Sequence, residues 1–285
     1  MVGIIFVIIL RMKQKIVLIT GASSGIGRAT LVRLVGDGHV VYGTHRKPDE
    51  AAEIKQLGGH PIVMEMTDDL TMRSGVDRVI GEQGRIDVLF NNAGYGLYGS
   101  VEETSMDDAR HQFEVNLFGL ARLTQLVLPH MRSVQSGTII STSSMGGKMY
   151  TPLGAWYHAS KHALEGWSDC LRLELKQFGI NVAVVEPGGI QTPWGITAAD
   201  NLERISSQGA YASFGAKVAG GMRRMYENQG NLSRPDVIAD VVSQAVNATR
   251  PRTRYVAGAY AKPMMFIRKY GGDRLFDWVI MRQFR

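Results

Sequence analysis

Apolar residues fall in short runs separated by longer segments of helical spacing. Residues 15–20 (KIVLIT) form an apolar, β-branched run that stops at Gly21, the pattern of a strand buried on both faces. Residues 25–35 then place Ile26, Ala29 and Leu34 on one helical face. The alternation continues along the chain. Strands are predicted at 40–44, 62–66, 87–90, 137–141, 181–185 and 254–257, and helices at 48–57, 70–80, 106–131, 155–177 and 235–249. Strands alternating with helices of this length imply repeated βαβ units, hence an α/β class with one doubly wound, mostly parallel sheet.

Two stretches stand outside this rhythm. Residues 190–231 carry no strand signal but hold Trp194, Tyr211, Phe214, Met222, Met225 and Tyr226. Ligands of open α/β sheets bind beyond the carboxyl ends of the strands, so this least regular segment is expected to cover a ligand. Its aromatic content argues against a poorly ordered surface excursion. Residues 2–10 are apolar apart from Gly3 and are followed by Arg11, Lys13 and Lys15. That run is too short to span a bilayer and lacks the basic start of a secretory signal. The expectation for residues 1–12 is a disordered leader or an upstream start before Met12, with a weak membrane contact as the alternative. The single folded domain is expected over residues 13–285.

Composition narrows the class. With 285 residues, 45% of them hydrophobic, the chain buries a sizeable core and is not a disordered protein. Its single cysteine, Cys170, excludes an intramolecular disulfide framework and a cysteine-based zinc site, and suits a reducing cytoplasm. Cys170 itself reads as a packed helical residue. The net charge of +6 is unevenly placed: residues 246–285 hold nine Lys/Arg against Asp273 and Asp277, leaving the rest of the chain at −1. A near-neutral body with a basic end is not the charge pattern of a nucleic-acid-binding fold.

Residues 20–27 (TGASSGIG) join the first strand to the first helix. Glycines there let the backbone turn and approach a pyrophosphate, with free N–H groups of the helix N-terminus behind it. No Gly-Lys-Ser/Thr follows, which excludes a P-loop.

With this loop the sequence resembles the short-chain dehydrogenase/reductase family, whose glycine motif is TGxxxGIG. Other marks of that family follow in order: Asn91-Asn92-Ala93-Gly94, Asn116, Ser144, Tyr157-His158-Ala159-Ser160-Lys161 and residues 187–192 (PGGIQT). The resemblance covers nearly the whole chain from about residue 13. It implies a Rossmann-type fold and a nicotinamide cofactor. The residues implied to hold that cofactor are Gly21, Ser23, Ser24, Gly25, Ile26 and Gly27 of the loop, Arg46, then Glu65 and Met66 after the third strand. Asn92, Ala93 and Gly94, the pair Tyr157 and Lys161, and Pro187, Gly188, Ile190 and Thr192 complete the set.

The second strand ends in Thr44-His45-Arg46-Lys47 with no acid before Asp49. An acid there would bind a ribose 2′-hydroxyl, whereas Arg46 can grip a 2′-phosphate with paired hydrogen bonds. NADP(H) is therefore expected over NAD(H), with a solvated turn as the plain alternative for Arg46 and Lys47.

Tyr157 and Lys161 are four apart on a predicted helix and share a face. A nearby ammonium is expected to lower the phenol's pKa, so that Tyr157 exchanges a proton with an alcohol or ketone oxygen. Ser144, with Ser143 as fallback, would hydrogen-bond the substrate oxygen. The resemblance gives Lys161 the nicotinamide ribose and gives Asn116 a water that relays protons. His158 and His162 have metal-ligand spacing without an evident third ligand, so they read as surface residues and no metal site is expected.

Met145, Met149, Tyr150, Leu153 and Trp156, then Trp194 and the 190–231 segment, with Tyr95, Leu97 and Tyr98, are expected to line the substrate side. They favour a bulky apolar carbonyl or alcohol. The pattern is similar to the family branch of hydroxysteroid and retinol dehydrogenases and acyl-dihydroxyacetone-phosphate reductases. A dehydrogenase of small polar alcohols or sugars, or an NADP(H)-binding regulator or scaffold, are the alternatives. By resemblance a homodimer or homotetramer is expected, paired through the helices around Asn116 and Tyr157. The basic segment 246–285, interleaved with Met264, Met265, Phe266, Leu275, Phe276, Trp278, Val279 and Ile280, reads as a peripheral membrane contact, a subunit contact or a packing element.

Overall fold

The computed structural model describes residues 14–227 and 231–283; the expected leader at 1–12 lies outside them. Seven strands, β1 (Ile16–Ile19), β2 (Val40–His45), β3 (His60–Val63), β4 (Val88–Asn91), β5 (Gly137–Thr142), β6 (Ile180–Pro187) and β7 (Arg254–Ala257), form one parallel sheet. Their order is β3-β2-β1-β4-β5-β6-β7. The chain winds outward in one direction from β1 to β3 and in the other from β4 to β7. The switch between β1 and β4 opens a crevice at the carboxyl edge. This is the Rossmann-type doubly wound fold that the βαβ rhythm predicts.

The strands owe their continuous apolar runs to burial on both faces. Along β1, Ile16 and Leu18 pack into one core while Val17 and Ile19 pack into the other. The first core is closed by α3 (Asp69–Gln83), α5 (Gly119–Ser133) and α6 (Ala155–Leu175) through Val76, Leu123, Val127 and Leu171. The second is closed by α1 (Gly25–Gly36), α2 (Pro48–Gln56) and α9 (Asp236–Asn247) through Leu31, Ile54, Ile238 and Val242. Each such fully buried aliphatic side chain stabilises the fold by about 1.5–3 kcal/mol.

Four expectations change. The single helix predicted over 106–131 is α4 (Met106–Phe113), a π-helical turn (Glu114–Phe118) and α5. The wider turn carries Asn116, and a π-helical turn inside an α-helix often marks a functional site. The third strand lies at His60–Val63 rather than 62–66, because pairing begins at Tyr42 opposite His60.

The segment 190–231, expected to be irregular, is largely helical: α7 (Trp194–Ser206) and α8 (Ala212–Glu227). Ala198, Ala199, Val218 and Ala219 are buried where these helices pack together, and their small side chains permit the close approach. Two further helices, α10 (Ala261–Tyr270) and α11 (Gly272–Arg282), form the basic end. They dock on the rest through Phe276 and Ile280, packed with Met149 and beside Met145 and Tyr150. Cys170, expected to be packed, is exposed on α6.

Candidate active site

The crevice is a cavity of about 1020 Å³ running across the carboxyl edge of the sheet. All the residues predicted to hold the cofactor line it, except Gly27, which supports the loop from behind. A Cβ on Gly27 would collide with the Gly21 carbonyl oxygen and stand 2.7 Å from Asn92 Nδ2. Gly21 and Gly25 adopt φ of +64° and +52°, which other residues rarely do. Asn92 Nδ2 donates to Thr20 O at 3.0 Å, while the backbone N–H groups of Asn92 and Ala93 both donate to Thr20 Oγ1 at 2.9 Å. The loop after β4 is thereby fastened to the glycine loop. Thr192 closes the far side, its Cγ2 3.1 Å from where a Cβ on Gly25 would sit.

This cradle fits a dinucleotide. No side chain caps the α1 N-terminus and no acid stands in its first turn, so its N–H dipoles are left for an anion. The Arg46 side chain is 74% exposed and, among the described residues, its guanidinium meets Glu65 at 3.9 Å. Glu50 was not anticipated: its carboxylate accepts from the backbone N–H of Arg46 and Lys47 at 3.1 and 3.2 Å. The signal was Glu three residues after the N-cap position of α2, a capping-box spacing.

Tyr157, Lys161 and Ser144 also line the cavity. Tyr157 and Lys161 project from the first turns of α6, and Ser144 opens the single 3₁₀ turn (Met145–Gly147) after β5. Burial pushes the Tyr157 phenol up, and a hydrogen bond with Ser144 pulls it back only in part. The groups that move it do not include Lys161, whose ammonium was expected to lower it; in the protein alone desolvation sets the direction. Burial brings Lys161 down to about 8, with Glu165 opposing. Asn116 lies just behind this group. Its Nδ2 donates to Tyr95 O at 3.0 Å and to Ser160 Oγ at 3.2 Å, and its Oδ1 accepts from Tyr95 N at 3.1 Å. Asn116 thus straps the turn after β4 to α6, and only acceptor capacity remains on it for a water.

His158 corrects a second expectation. It is buried rather than at the surface, with Nδ1 2.9 Å from Gly146 O and Nε2 accepting from Thr151 N at 3.1 Å. That pairing fixes the tautomer with the proton on Nδ1, and burial lowers its pKa to about 4. Its spacing in sequence could not distinguish this strut from a surface residue.

Beyond Tyr157 the cavity is lined by Leu97, Tyr98, Met149, Trp194, Met222 and Tyr226, and by Met264 and Ile280 from the C-terminal helices. Tyr98 and Trp194 pack on Tyr157 with ring centroids 5.9 and 5.1 Å away. Met145, Tyr95 and Met225 also line it, as expected. Tyr150, Leu153, Trp156, Tyr211 and Phe214 do not. Tyr150 instead donates to Asp277 at 2.9 Å and packs edge-on against Phe276, and Leu153 packs into the core under α7 and α8.

Comparison with known proteins agrees with this geometry. The family described as short chain dehydrogenase matches residues 15–203. The 3-ketodihydrosphingosine reductase of Bacteroides thetaiotaomicron is 42% identical over 198 residues, covering 69% of this chain and 71% of that protein. The uncharacterized oxidoreductase YbbO of Escherichia coli K12 is 32% identical over 275 residues, 95% of each. Among solved structures, a short-chain dehydrogenase from Streptomyces avermitilis superposes with a TM-score of 0.76 at 30% identity, covering 95% of this chain and 98% of that one. With the glycine cradle and the Ser144–Tyr157–Lys161 cluster in place, the chain belongs to the short-chain dehydrogenase/reductase family and is an oxidoreductase.

Proposed function

We propose that the protein reduces the carbonyl of a long or polycyclic apolar molecule to an alcohol, using NADPH, and runs the reverse reaction when the alcohol is in excess. The observation that carries this reading is the composition of the cavity beside Tyr157, walled by Leu97, Tyr98, Met149, Trp194, Met222 and Tyr226. Its charged rim residues Asp108 and Arg204 pair with each other at 3.4 Å, leaving few unpaired charges to bind a polar sugar. The similarity to a 3-ketodihydrosphingosine reductase supports a lipid-like substrate.

Bound NADPH would supply hydride to the carbonyl carbon. Tyr157 gives its phenolic proton to the carbonyl oxygen, and Ser144 donates a hydrogen bond to the same oxygen as charge develops there. Lys161 holds positive charge beside the phenol and draws a proton back toward it after each turnover. The exposed Arg46 guanidinium supports a preference for the 2′-phosphate, since β2 ends without a competing acid.

The exposed Phe266, Tyr270, Leu275 and Trp278, interleaved with Lys262, Lys269 and Arg274 on α10 and α11, support resting of this end on an anionic membrane. Met264 and Ile280 of the same helices line the cavity, so a lipid would enter from that side. Among the described residues no helix is long and apolar enough to cross a membrane. Exposed Phe118 and Leu173, beside α5 and on α6, support pairing of two copies; a monomer in sedimentation would remove that part.

The decisive experiment follows NADPH absorbance with purified protein against long-chain 3-keto lipids, steroids, small ketones and sugars. Turnover of an apolar ketone is expected. A preference for small polar sugars would overturn the substrate class.

A further inference from the structure

Behind Lys161, away from the cavity, lies a group of buried charges that the proposed chemistry does not use. Glu186, at the end of β6, is 0% exposed, and Glu165, one turn beyond Lys161 on α6, is also buried. Two cations reach them from other segments. Lys148, just past the Ser144 turn, puts Nζ 2.8 Å from Glu165 Oε2 and 3.9 Å from Glu186 Oε1. Arg254, on β7, puts Nη2 2.9 Å from Glu165 Oε2 and Nε 3.4 Å from Glu186 Oε1. Arg254 also meets Asp169 at 2.7 Å, and Asp169 in turn meets Arg172.

The carboxylates are not equally served. Glu165 Oε2 takes both cations, but Glu165 Oε1 and both oxygens of Glu186 accept no hydrogen bond among the described residues. Three bare acceptor oxygens on two adjacent buried carboxylates are costly, and like charges that close seldom both ionise. One proton between them supplies the missing donor and removes one charge.

We propose that Glu165 and Glu186 share a proton, and that this bridged pair is a positioning device which, through Lys148 and Arg254, holds the Ser144 turn, the Tyr157–Lys161 helix and the Pro187 turn in register. Glu186 immediately precedes Pro187 and Gly188 of the cofactor site, so one cluster ties together the three segments that carry the proposed chemistry. The packing transmits displacement. A Cβ on Gly147 would stand 2.6 Å from Ser143 Oγ and 3.1 Å from both Glu165 Cγ and Lys161 O, so the backbone of the Ser144 turn packs directly on the helix at Lys161 and Glu165. Burial and the charge of Glu165 raise the Glu186 carboxyl, and Lys148 and Arg254 only partly offset them. Lys161, Asp169 and Arg172 are the other charged groups of the helix that bear on this cluster, Glu174 being exposed farther along it, and Lys161 and Glu165 act on each other electrostatically.

As pH rises and the shared proton leaves, two buried negative charges face each other and the segments part. The inference rests on the reading of Tyr157, Lys161 and Ser144 given above, so its test carries one measurement independent of turnover. The full chain, Glu186→Gln and Glu165→Gln are compared for kcat from about pH 6 to about pH 9 with the best ketone of the panel. Glu186→Gln keeps a donor but cannot ionise. It is expected to stay within about threefold of the parent kcat at the acid end and to lose one step of the alkaline decline. Glu165→Gln removes the carboxylate nearest to both cations and leaves Lys148 only the more distant Glu186 among the described residues, and its kcat is expected to fall about tenfold or more, with NADPH affinity changed much less. Superimposable pH profiles for the parent and Glu186→Gln would overturn the proposal.

If no carbonyl turns over, the functional reading fails by itself. The proton is then read by infrared spectroscopy. A protonated-carboxyl band in the parent near neutral pH that vanishes in Glu186→Gln supports the pair; its absence from the parent overturns it.

Discussion

Lys161 Nζ donates a hydrogen bond to the Thr142 carbonyl oxygen at 2.8 Å. The bond joins the helix that carries Tyr157 to the last residue of β5, two positions before Ser144. The position of the Tyr157 helix relative to Ser144 is therefore tied to the end of β5. The same bond spends one of the three ammonium protons on the scaffold and leaves the others toward the cavity.

Tyr157→Phe removes the acidic proton and little else, since the ring stays packed against Tyr98 and Trp194. Turnover is expected to fall by about two to four orders of magnitude, the usual contribution of a positioned acid. NADPH binding, followed by fluorescence titration, is expected to survive. Retained turnover would refute the assigned role.

Arg46→Ala tests cofactor choice. The guanidinium is largely free in the protein alone, so its removal costs no internal hydrogen bond. Losing a charge-assisted pair with a phosphate is expected to raise KM for NADPH on the order of ten- to a hundredfold. KM for NADH is expected to stay nearly constant. Equal changes for both cofactors would place Arg46 outside the phosphate site.

Gly27→Ala forces a methyl group onto the Gly21 carbonyl and Asn92. Overpacking of this kind costs about 1–3 kcal/mol, measurable by urea denaturation. Because the strained atoms belong to the dinucleotide cradle, NADPH affinity is expected to drop as well. Stability loss with unchanged affinity would show that the loop does not contact the cofactor.

His158 makes stability depend on pH. Its folded pKa lies near 4, below the usual 6.5, so between those values the unfolded chain takes up a proton that the folded protein refuses. Its stabilising contribution is complete above about pH 6.5 and is lost as pH falls toward 4, up to about 3 kcal/mol. The raised Glu186 carboxyl acts in the opposite sense. From the usual carboxylate range up to its raised value, the folded protein holds a proton that the unfolded chain has released, and stability falls as pH rises. The two windows overlap, so each slope is read as the difference between the parent and one variant. His158→Gln, which can still donate and accept, is expected to flatten the acid limb in chemical denaturation. An unchanged acid limb would reject a buried neutral imidazole.

The C-terminal helices are tested on vesicles. Sedimentation with anionic liposomes is expected for the parent chain, weakening with salt and abolished by Phe266→Glu with Trp278→Glu. Both side chains are exposed, so the fold is expected to persist. Binding unaffected by these changes would leave α10 and α11 as packing elements.

Much of this protein was legible in local pattern. Apolar runs such as residues 15–20 specify strands because burial on both faces demands them, and the loop between β1 and α1 requires glycine wherever backbone must meet backbone or φ turns positive. Tyr157 and Lys161 share a face because 3.6 residues make a turn. What failed were features set by packing in space rather than by local pattern. His158 is buried because Gly146 and Thr151 wait for its two nitrogens, and Cys170 is exposed because of where α6 turns its faces. Residues 194–227 fold chiefly into α7 and α8 because alanines on one helix meet small residues on the other, a signal weaker than a heptad or a cap.

The sequence by itself determined the parallel sheet and the glycine loop and singled out Tyr157 as the proposed proton donor, since each rests on local apolar pattern or on a fixed motif. Only the tertiary structure decided which residues wall the cavity and which charges gather behind it. Lys148, Glu165, Glu186 and Arg254 come from four separate segments, and nothing local marks them as neighbours. Electrostatic interaction falls with distance in space and rises as water is excluded, and neither quantity is written along the chain.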